Sequence, residues 1–129
     1  MNSNDHVIGV QDPVTLLDNS EPEPDIYVAK GPLERYHNYH PGPEHLLLVI
    51  EVSDATLHRD KTAKYSAYAA AGIQEYWVID VYNRVIFQYT KPNQVDGVYA
   101  SENTYVEKDE FESLYLGKFS GRELILQLK

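Results

Sequence analysis

Two acidic residues are the side chains of this sequence that are best placed to do chemistry. Asp25 follows Pro24 at the start of the β-rich stretch DIYVA, and Glu51 lies near the end of the apolar run LLLVIEV. Burying a carboxylate in so apolar a strand is costly unless the carboxylate is paired or bound to a cation. Two carboxylates that converge repel each other, and a hard divalent cation such as Mg²⁺ relieves the repulsion while also accepting waters and phosphate oxygens. An antiparallel pairing of the two strands would create such a site.

A lysine on the following helix can complete this group. The segment Asp60–Ala71 is rich in alanine and is followed by Gly72, which predicts a helix that ends there. Lys61, Lys64 and Tyr68 are spaced by three and four residues, so they share one face of that helix. A helix that packs back on the sheet would aim Lys64 at the two acids.

Each of these residues also has a simpler interpretation. Glu51 can lie at an exposed strand end or pair with a nearby lysine, since structural ion pairs are common. Asp25 can be a turn residue that caps its own backbone. Lys64 can be a solvated lysine that extends from an amphipathic helix. The positions of the three side chains relative to one another decide between these interpretations and a shared site.

The wider pattern predicts an α/β (α+β) fold, a mixed sheet with a packed helix, in a single domain over residues 1–129. A long loop over residues 30–45 precedes the third strand, which should be buried on both faces. Alternation places four residues of that strand on one side: Leu47, Val49, Glu51 and Ser53. The order is β-β-β-α-β-β-β, with strands at Val7–Gln11, Asp25–Ala29, Leu46–Val52, Glu75–Asp80 and Arg84–Tyr89, and weaker ones at Gly97–Ser101, Thr104–Val106 and Glu123–Lys129.

The composition narrows the classes of protein. The 129 residues contain no cysteine, which excludes disulfides and thiolate-zinc sites. No signal peptide or membrane span is visible, so a cytoplasmic location without membrane partners is expected. The 11 basic residues are scattered singly among 20 acidic ones, for a net charge of −9. This balance argues against a stable DNA-binding module, but less against an enzyme whose metal ions carry the positive charge.

A series of motifs runs through most of the chain, from about Gln11 to about Tyr99. The series comprises SEPEPD with Pro24-Asp25, HPGPE, LLLVIEVSDAT with Glu51-Val52-Ser53, then Asp60, Lys64 and Tyr68, and AGIQEYWVID at residues 71–80. A bare PD…E-x-K pattern is unspecific, whereas the ordered series is highly specific. On these residues the chain resembles the Uma2-like family (the DUF820 group) of the PD-(D/E)XK endonuclease-like superfamily.

The resemblance implies a restriction-endonuclease-like fold and an Mg²⁺- or Mn²⁺-dependent endonuclease that hydrolyses DNA phosphodiester bonds. Carried over by position, Asp25 and Glu51 become metal ligands, together with the backbone carbonyl of Val52. The superfamily's lysine normally stands two residues after the motif acid, where this chain has Ser53. The family resemblance implies that the lysine has moved to the helix, as Lys64. Its role would be to orient or activate the attacking water and to stabilise negative charge on the phosphate.

The main alternative is a catalytically inactive homologue that serves as an interaction or scaffold domain, which Ser53 and the net charge both favour. A module that grips DNA without cutting it is a third and less favoured possibility, because the basic surface is sparse. Relatives usually begin with a further helix, which this chain is expected to lack. A shortened domain of this kind is expected to form a homodimer or to be completed by another chain.

Overall fold

The computed structural model describes residues 6–17, 20–53 and 63–128 of the chain. Its main element is a six-stranded sheet whose strands lie in sequence order. These strands are β1 (His6–Val10), β2 (Ile26–Lys30), β3 (Leu46–Ser53), β4 (Glu75–Asp80), β5 (Val85–Asn93) and β6 (Val98–Val106). A separate hairpin is formed by β7 (Glu110–Ser113) and β8 (Gly117–Ser120). The described part also contains α1 (Tyr65–Ala70), α2 (Gly121–Leu128) and a short 3₁₀ helix at Leu33–Tyr36.

The strand directions explain why α1 lies over the sheet. Neighbouring strands of the main sheet are antiparallel, except for β3 and β4, which are parallel. A tight turn cannot join parallel neighbours, so the chain must cross over the sheet between them. The connection spans residues 54–74, and its described part contains α1, whose Tyr68 and Ala69 are buried. The predicted mixed sheet with a packed helix is confirmed.

Each face of the sheet is covered by different elements. On one face α1 packs against Val49, Tyr76 and Val78, and we call this the helix face. On the opposite face, the hairpin and α2 cover the apolar side chains of β3, β4 and β5, through Phe111 and Ile125. β3 and β4 are therefore buried on both sides, as the apolar run with a single Glu predicts for β3.

A β-bulge changes the facing of one predicted residue. Val28 of β2 pairs with Leu48, but the next residue, Ala29, pairs with Leu46. Leu47 is the extra residue at this irregularity and packs with Leu48 on the side opposite the helix face. The predicted alternation is therefore wrong at Leu47, because a bulge inserts a residue that breaks the period of two. It still holds for Val49 and the residues that follow.

The C-terminal prediction of a strand over Glu123–Lys129 is wrong. The described residues of this segment, 123–128, belong to α2, in which Ile125 is fully buried. Leu124, Leu126 and Leu128 alternate with other residues and so mimic a strand. The helix is favoured instead by Ser120, whose hydroxyl accepts a hydrogen bond from the Glu123 N–H at 3.4 Å. The spacing Ser-x-x-Glu is a capping box, and it was the better signal for this segment.

Other boundaries also differ from the predictions. The two weak strands after Gly97 are a single strand, β6, which pairs with β5 along its length. The hairpin of β7 and β8 was not predicted. The first residues of the predicted helix, including Asp60 and Lys61, lie outside the described residues. In the part of the chain that is described, no helix is long and apolar enough to cross a membrane.

Candidate active site

The pairing of β2 with β3 brings the two predicted acids together. The strands are antiparallel, and Ile26 pairs with Ile50, so continuing the register sets Asp25 opposite Glu51. The Asp25 Oδ2 atom accepts a hydrogen bond of 2.7 Å from the Val52 N–H. The Glu51 Oε1 atom accepts a longer one, 3.4 Å, from the Asp25 N–H. Asp25 therefore forms hydrogen bonds with β3, and it is not a turn residue that caps its own backbone.

The two acids differ in their access to solvent. Glu51 is only 2% exposed, which excludes the interpretation of an exposed strand end. Asp25 is half-buried and lines an open cleft together with Gln11 and Glu23. A ligand that enters this cleft would meet Asp25 first and the buried carboxylate behind it.

Helix α1 and the residue before it supply two donors to the buried acid. The Tyr68 hydroxyl donates to Glu51 Oε2 at 3.0 Å, and the Lys64 ammonium lies 3.4 Å from the same oxygen. Lys64 and Tyr68 are four residues apart, so both point down from one side of the helix onto the sheet. The Lys64 side chain remains 36% exposed. The structure thus brings Asp25, Glu51 and Lys64 together, while their catalytic roles stay predictions.

The contacts divide the Glu51 carboxylate into two sides. Oε2 faces the donors of the helix, and Oε1 faces Asp25. Among the described residues, no three His, Cys, Asp or Glu side chains gather as metal ligands. Two carboxylates suit Mg²⁺ or Mn²⁺, because such hard ions are held by one or two carboxylates and keep several waters. The donor set therefore fits the implied divalent cation.

The backbone of β3 explains why Val52 can contribute its carbonyl. In a strand, the N–H and C=O of one residue point to the same neighbouring strand. The Val52 N–H points to Asp25, so its carbonyl also lies on that side, whereas the next carbonyl, that of Ser53, turns to β4 and accepts from Val81 at 3.0 Å. The residue opposite Val52 in the continued register is Pro24, which has no N–H to donate.

Ser53 occupies the position where the superfamily normally has its lysine. It lies two residues beyond Glu51 and is 1% exposed, and its hydroxyl has no hydrogen-bond partner among residues 6–17, 20–53 and 63–128. A serine is too short to take the place of a lysine at this position. Within the described part of the chain, the Lys64 ammonium approaches Glu51, and the catalytic role that the resemblance implies for Lys64 stays a prediction.

Buried tyrosines lie beside Tyr68 on the helix face. The Tyr68 ring lies 5.0 Å from that of Tyr76, which stacks in turn on Tyr89 at 5.8 Å and on Tyr99 at 6.2 Å. Burial raises the pKa of Tyr99 far above its usual range. Burial, and then the adjacent Glu102 carboxylate, raise the pKa of Tyr89 in the same direction. These phenols are therefore neutral donors at physiological pH.

A second buried carboxylate was missed at the sequence level. Glu75 is fully buried on the face opposite α1. It accepts hydrogen bonds from the Trp77 indole at 2.7 Å, the Gln88 amide at 2.8 Å, the Ser113 hydroxyl at 2.8 Å and the Leu114 N–H at 3.1 Å. An acid at the start of the apolar segment EYWVID was the available signal. The network joins the hairpin to the sheet, so its role is structural.

Comparisons with known proteins identify the fold and the family of the chain. A crystal structure of "a putative nuclease belonging to DUF820 from Anabaena variabilis ATCC 29413" superposes with a TM-score of 0.66 at 18% sequence identity. The match covers 98% of this chain and 71% of that one, and it shows a shared fold. No curated protein matches the sequence. The family model Uma2, described as "Putative restriction endonuclease", matches residues 2–125. The chain therefore belongs to the Uma2 family.

Proposed function

We propose that this protein is an Mg²⁺- or Mn²⁺-dependent endonuclease that hydrolyses phosphodiester bonds of DNA. The observation that carries the proposal is the meeting of Asp25, Glu51 and Lys64, which lie far apart in the sequence, at the end of two paired strands. Membership of the Uma2 family supports a nuclease role. Families with a restriction-endonuclease-like site generally use divalent metals, which agrees with two adjacent carboxylates.

Different groups of the chain would bind the metal and stabilise the phosphate charge in such a site. Asp25, Glu51 and the Val52 carbonyl would hold the cation. When bound, the cation supplies neutralisation of phosphate charge and activation of the attacking water. Lys64 keeps its ammonium beside Glu51 and is partly exposed, so it can also donate to a phosphate oxygen and stabilise the charge that develops there. The burial of Glu51 excludes bulk water from one side of the site, which strengthens each of these interactions.

The charge of the protein bears on how it meets DNA. A net charge of −9 repels the phosphate backbone, so a bound cation and Lys64 must provide the local attraction. We therefore expect a transient encounter whose strength depends on the divalent metal. A shift assay in low salt should show weak binding without metal, and tight metal-free binding would favour a DNA-binding module instead.

Cleavage of plasmid and branched DNA with Mg²⁺ or Mn²⁺ tests the proposal. Glu51→Gln keeps the shape of the side chain and removes its charge. We expect it to lower the rate by about 100-fold or more, because changes to groups that merely support metal ligands already cost 10- to 100-fold. Glu110→Gln is the matched control, since Glu110 is an exposed acid of the separate hairpin. Equal cleavage by the wild type and Glu51→Gln would remove Glu51 from the mechanism.

An inactive homologue with an interaction role remains the rival function. Ser53 in the usual lysine position favours it, as does the net charge. Calorimetry with Mn²⁺ separates the two functions. An active site should bind the metal and lose that binding in Asp25→Ala, whereas a scaffold has no need of the ion. The absence of Mn²⁺ binding by the folded wild type would favour the rival.

The assembly and location of the protein stay predictions. Small nucleases that cut both strands often act as pairs, so we propose a homodimer or a complex with another chain, in the cytoplasm. Light scattering at micromolar concentration measures the assembly directly. A monomeric mass in the presence of Mn²⁺ and substrate-length DNA would count against pairing.

A further inference from the structure

We propose that Tyr68 is a positioning residue that sets the orientation of the Glu51 carboxylate. This inference rests on the proposed metal-dependent function, and it assigns a role to a residue outside the predicted ligand set. The Tyr68 hydroxyl holds Oε2 at 3.0 Å, which directs Oε1 to the side of Asp25. A carboxylate oxygen that would otherwise rotate is thereby presented to the place where the cation would lie.

The torsion of a glutamate carboxylate is inherently loose. The last side-chain torsion of Glu joins an sp³ carbon to an sp² carbon, so it has no sharp minima. Hydrogen bonds from fixed groups must therefore define the plane of the carboxylate. For Glu51, the 3.4 Å contact with the Asp25 N–H is long, while the contact from the Tyr68 hydroxyl has ordinary length. The phenol is the better-placed of these two groups to fix the plane.

Lys64 contacts the same oxygen, but it is less able than Tyr68 to fix the plane of the carboxylate. Its ammonium is a mobile point charge on a four-carbon stem, and the side chain is 36% exposed. Tyr68 is 1% exposed and its ring has few alternatives in the packed interior. This difference in mobility gives the two residues different roles. Tyr68 can hold the carboxylate permanently while Lys64 moves toward a phosphate.

The aromatic cluster keeps the Tyr68 ring in place. Tyr76 contacts it at a centroid distance of 5.0 Å and an interplanar angle of 49°. Tyr76 lies on β4, where it pairs with Val49, two residues before Glu51 on the adjacent strand. The same sheet thus carries the acid and the ring that supports Tyr68. Tyr99, which stacks on Tyr76, is itself anchored by a 2.8 Å hydrogen bond from its hydroxyl to the Ile73 carbonyl.

Tyr68→Phe is the decisive variant, because it removes only the hydroxyl. We expect the affinity for Mn²⁺, measured by calorimetry, to fall by 10- to 100-fold, the range found for groups that orient metal ligands. Saturating Mn²⁺ should restore most of kcat, and the KM for DNA should change little, since the variant keeps Asp25, Glu51 and Lys64. Tyr65→Phe is the matched control. Tyr65 lies about one turn before Tyr68 on the same helix, and its hydroxyl accepts a hydrogen bond from the Tyr99 N–H at 2.8 Å.

An independent signal reports the carboxylate itself. The carbon-13 signal of the Glu51 carboxylate, identified by its loss in Glu51→Gln, should shift in Tyr68→Phe but stay in place in Tyr65→Phe. The inference is overturned if Tyr68→Phe binds Mn²⁺ within threefold of the wild type, or if Tyr65→Phe loses as much affinity. A wild type that neither binds Mn²⁺ nor cuts DNA overturns the proposed function, and that failure is recognised before Tyr68 is changed.

Discussion

The buried carboxylate of Glu75 should be one of the main supports of the fold. Four donors converge on it, and the donor residues Trp77, Gln88 and Ser113 are at most 5% exposed. Glu75→Gln places an N–H₂ group where one oxygen accepted two of these bonds. The Ser113 hydroxyl already accepts from the Tyr115 and Leu116 N–H groups at 3.2 and 3.3 Å, so it is poorly placed to accept from the new amide, and the Leu114 N–H cannot accept at all. That donor loses its partner, and the bonds that remain are no longer charge-assisted.

The cost can be estimated from these losses. An unsatisfied buried donor costs about 1–3 kcal/mol, and a hydrogen bond to a charged group contributes roughly 1 kcal/mol more than a neutral one. Release of the buried charge offsets part of the loss. We therefore expect Glu75→Gln to lower the free energy of unfolding by about 2–4 kcal/mol, against a total of roughly 5–15 kcal/mol for a typical domain.

Urea unfolding provides the assay. The single tryptophan, Trp77, donates directly to Glu75, so its fluorescence follows the network, and circular dichroism follows the sheet. With a slope of about 1–3 kcal/mol per molar, the midpoint should fall by roughly 1–2 M. Glu110→Gln should leave it unchanged, because Glu110 is exposed. A midpoint for Glu75→Gln equal to that of the wild type would refute the reasoning that the charged carboxylate stabilises the hairpin contact.

Two further predictions concern the core. Leu48→Ala should lower the free energy of unfolding by about 2–5 kcal/mol, since Leu48 is fully buried in β3. Urea unfolding measures this loss, with Leu114→Ala as the control because Leu114 is exposed. Stability should also fall as the pH rises above about 10, the pKa of an unfolded tyrosine. Burial raises the pKa of Tyr99, so the folded state keeps a proton that the unfolded chain releases; the resulting stabilisation is complete below that pH and is lost as the pH rises toward the folded pKa. Thermal melts from pH 8 to 11 should show a shallower decline for Tyr99→Phe, and an equally steep one would contradict this account.

The elements of the site were predictable because local patterns determine them. The apolar run of β3 indicates a central strand, and a single acid within it marks Glu51 as unusual. The proline before Asp25 and the alanine-rich helix are also local signals. Their convergence follows from strand pairing and the crossover between parallel strands, which fold-level rules favour. Short stretches of sequence therefore identify the elements that carry Asp25, Glu51 and Lys64, while the contacts among the three side chains depend on how those elements pack.

Other features depend on contacts that no local pattern encodes. The bulge at Leu47 arises from the pairing of two strands, and the sequence of β3 alone gives no sign of it. The four donors to Glu75 come from β4, β5 and the hairpin region, so their meeting depends on tertiary packing. The C-terminal segment carried two conflicting patterns, and the alternation of leucines concealed the capping signal at Ser120. The role of Tyr68 likewise becomes visible only when its hydroxyl is seen beside Glu51.

Pro24 affects the site because it has no backbone N–H to donate. An ordinary amino acid opposite Val52 would present an amide hydrogen to the Val52 carbonyl and extend the ladder between β2 and β3 by one rung. The imide of proline cannot, so Pro24 does not occupy that oxygen, which we propose as a ligand of the cation. The dipeptide Pro24-Asp25 therefore acts as a unit, in which one residue ends the strand pairing and the other supplies the charge at the gap.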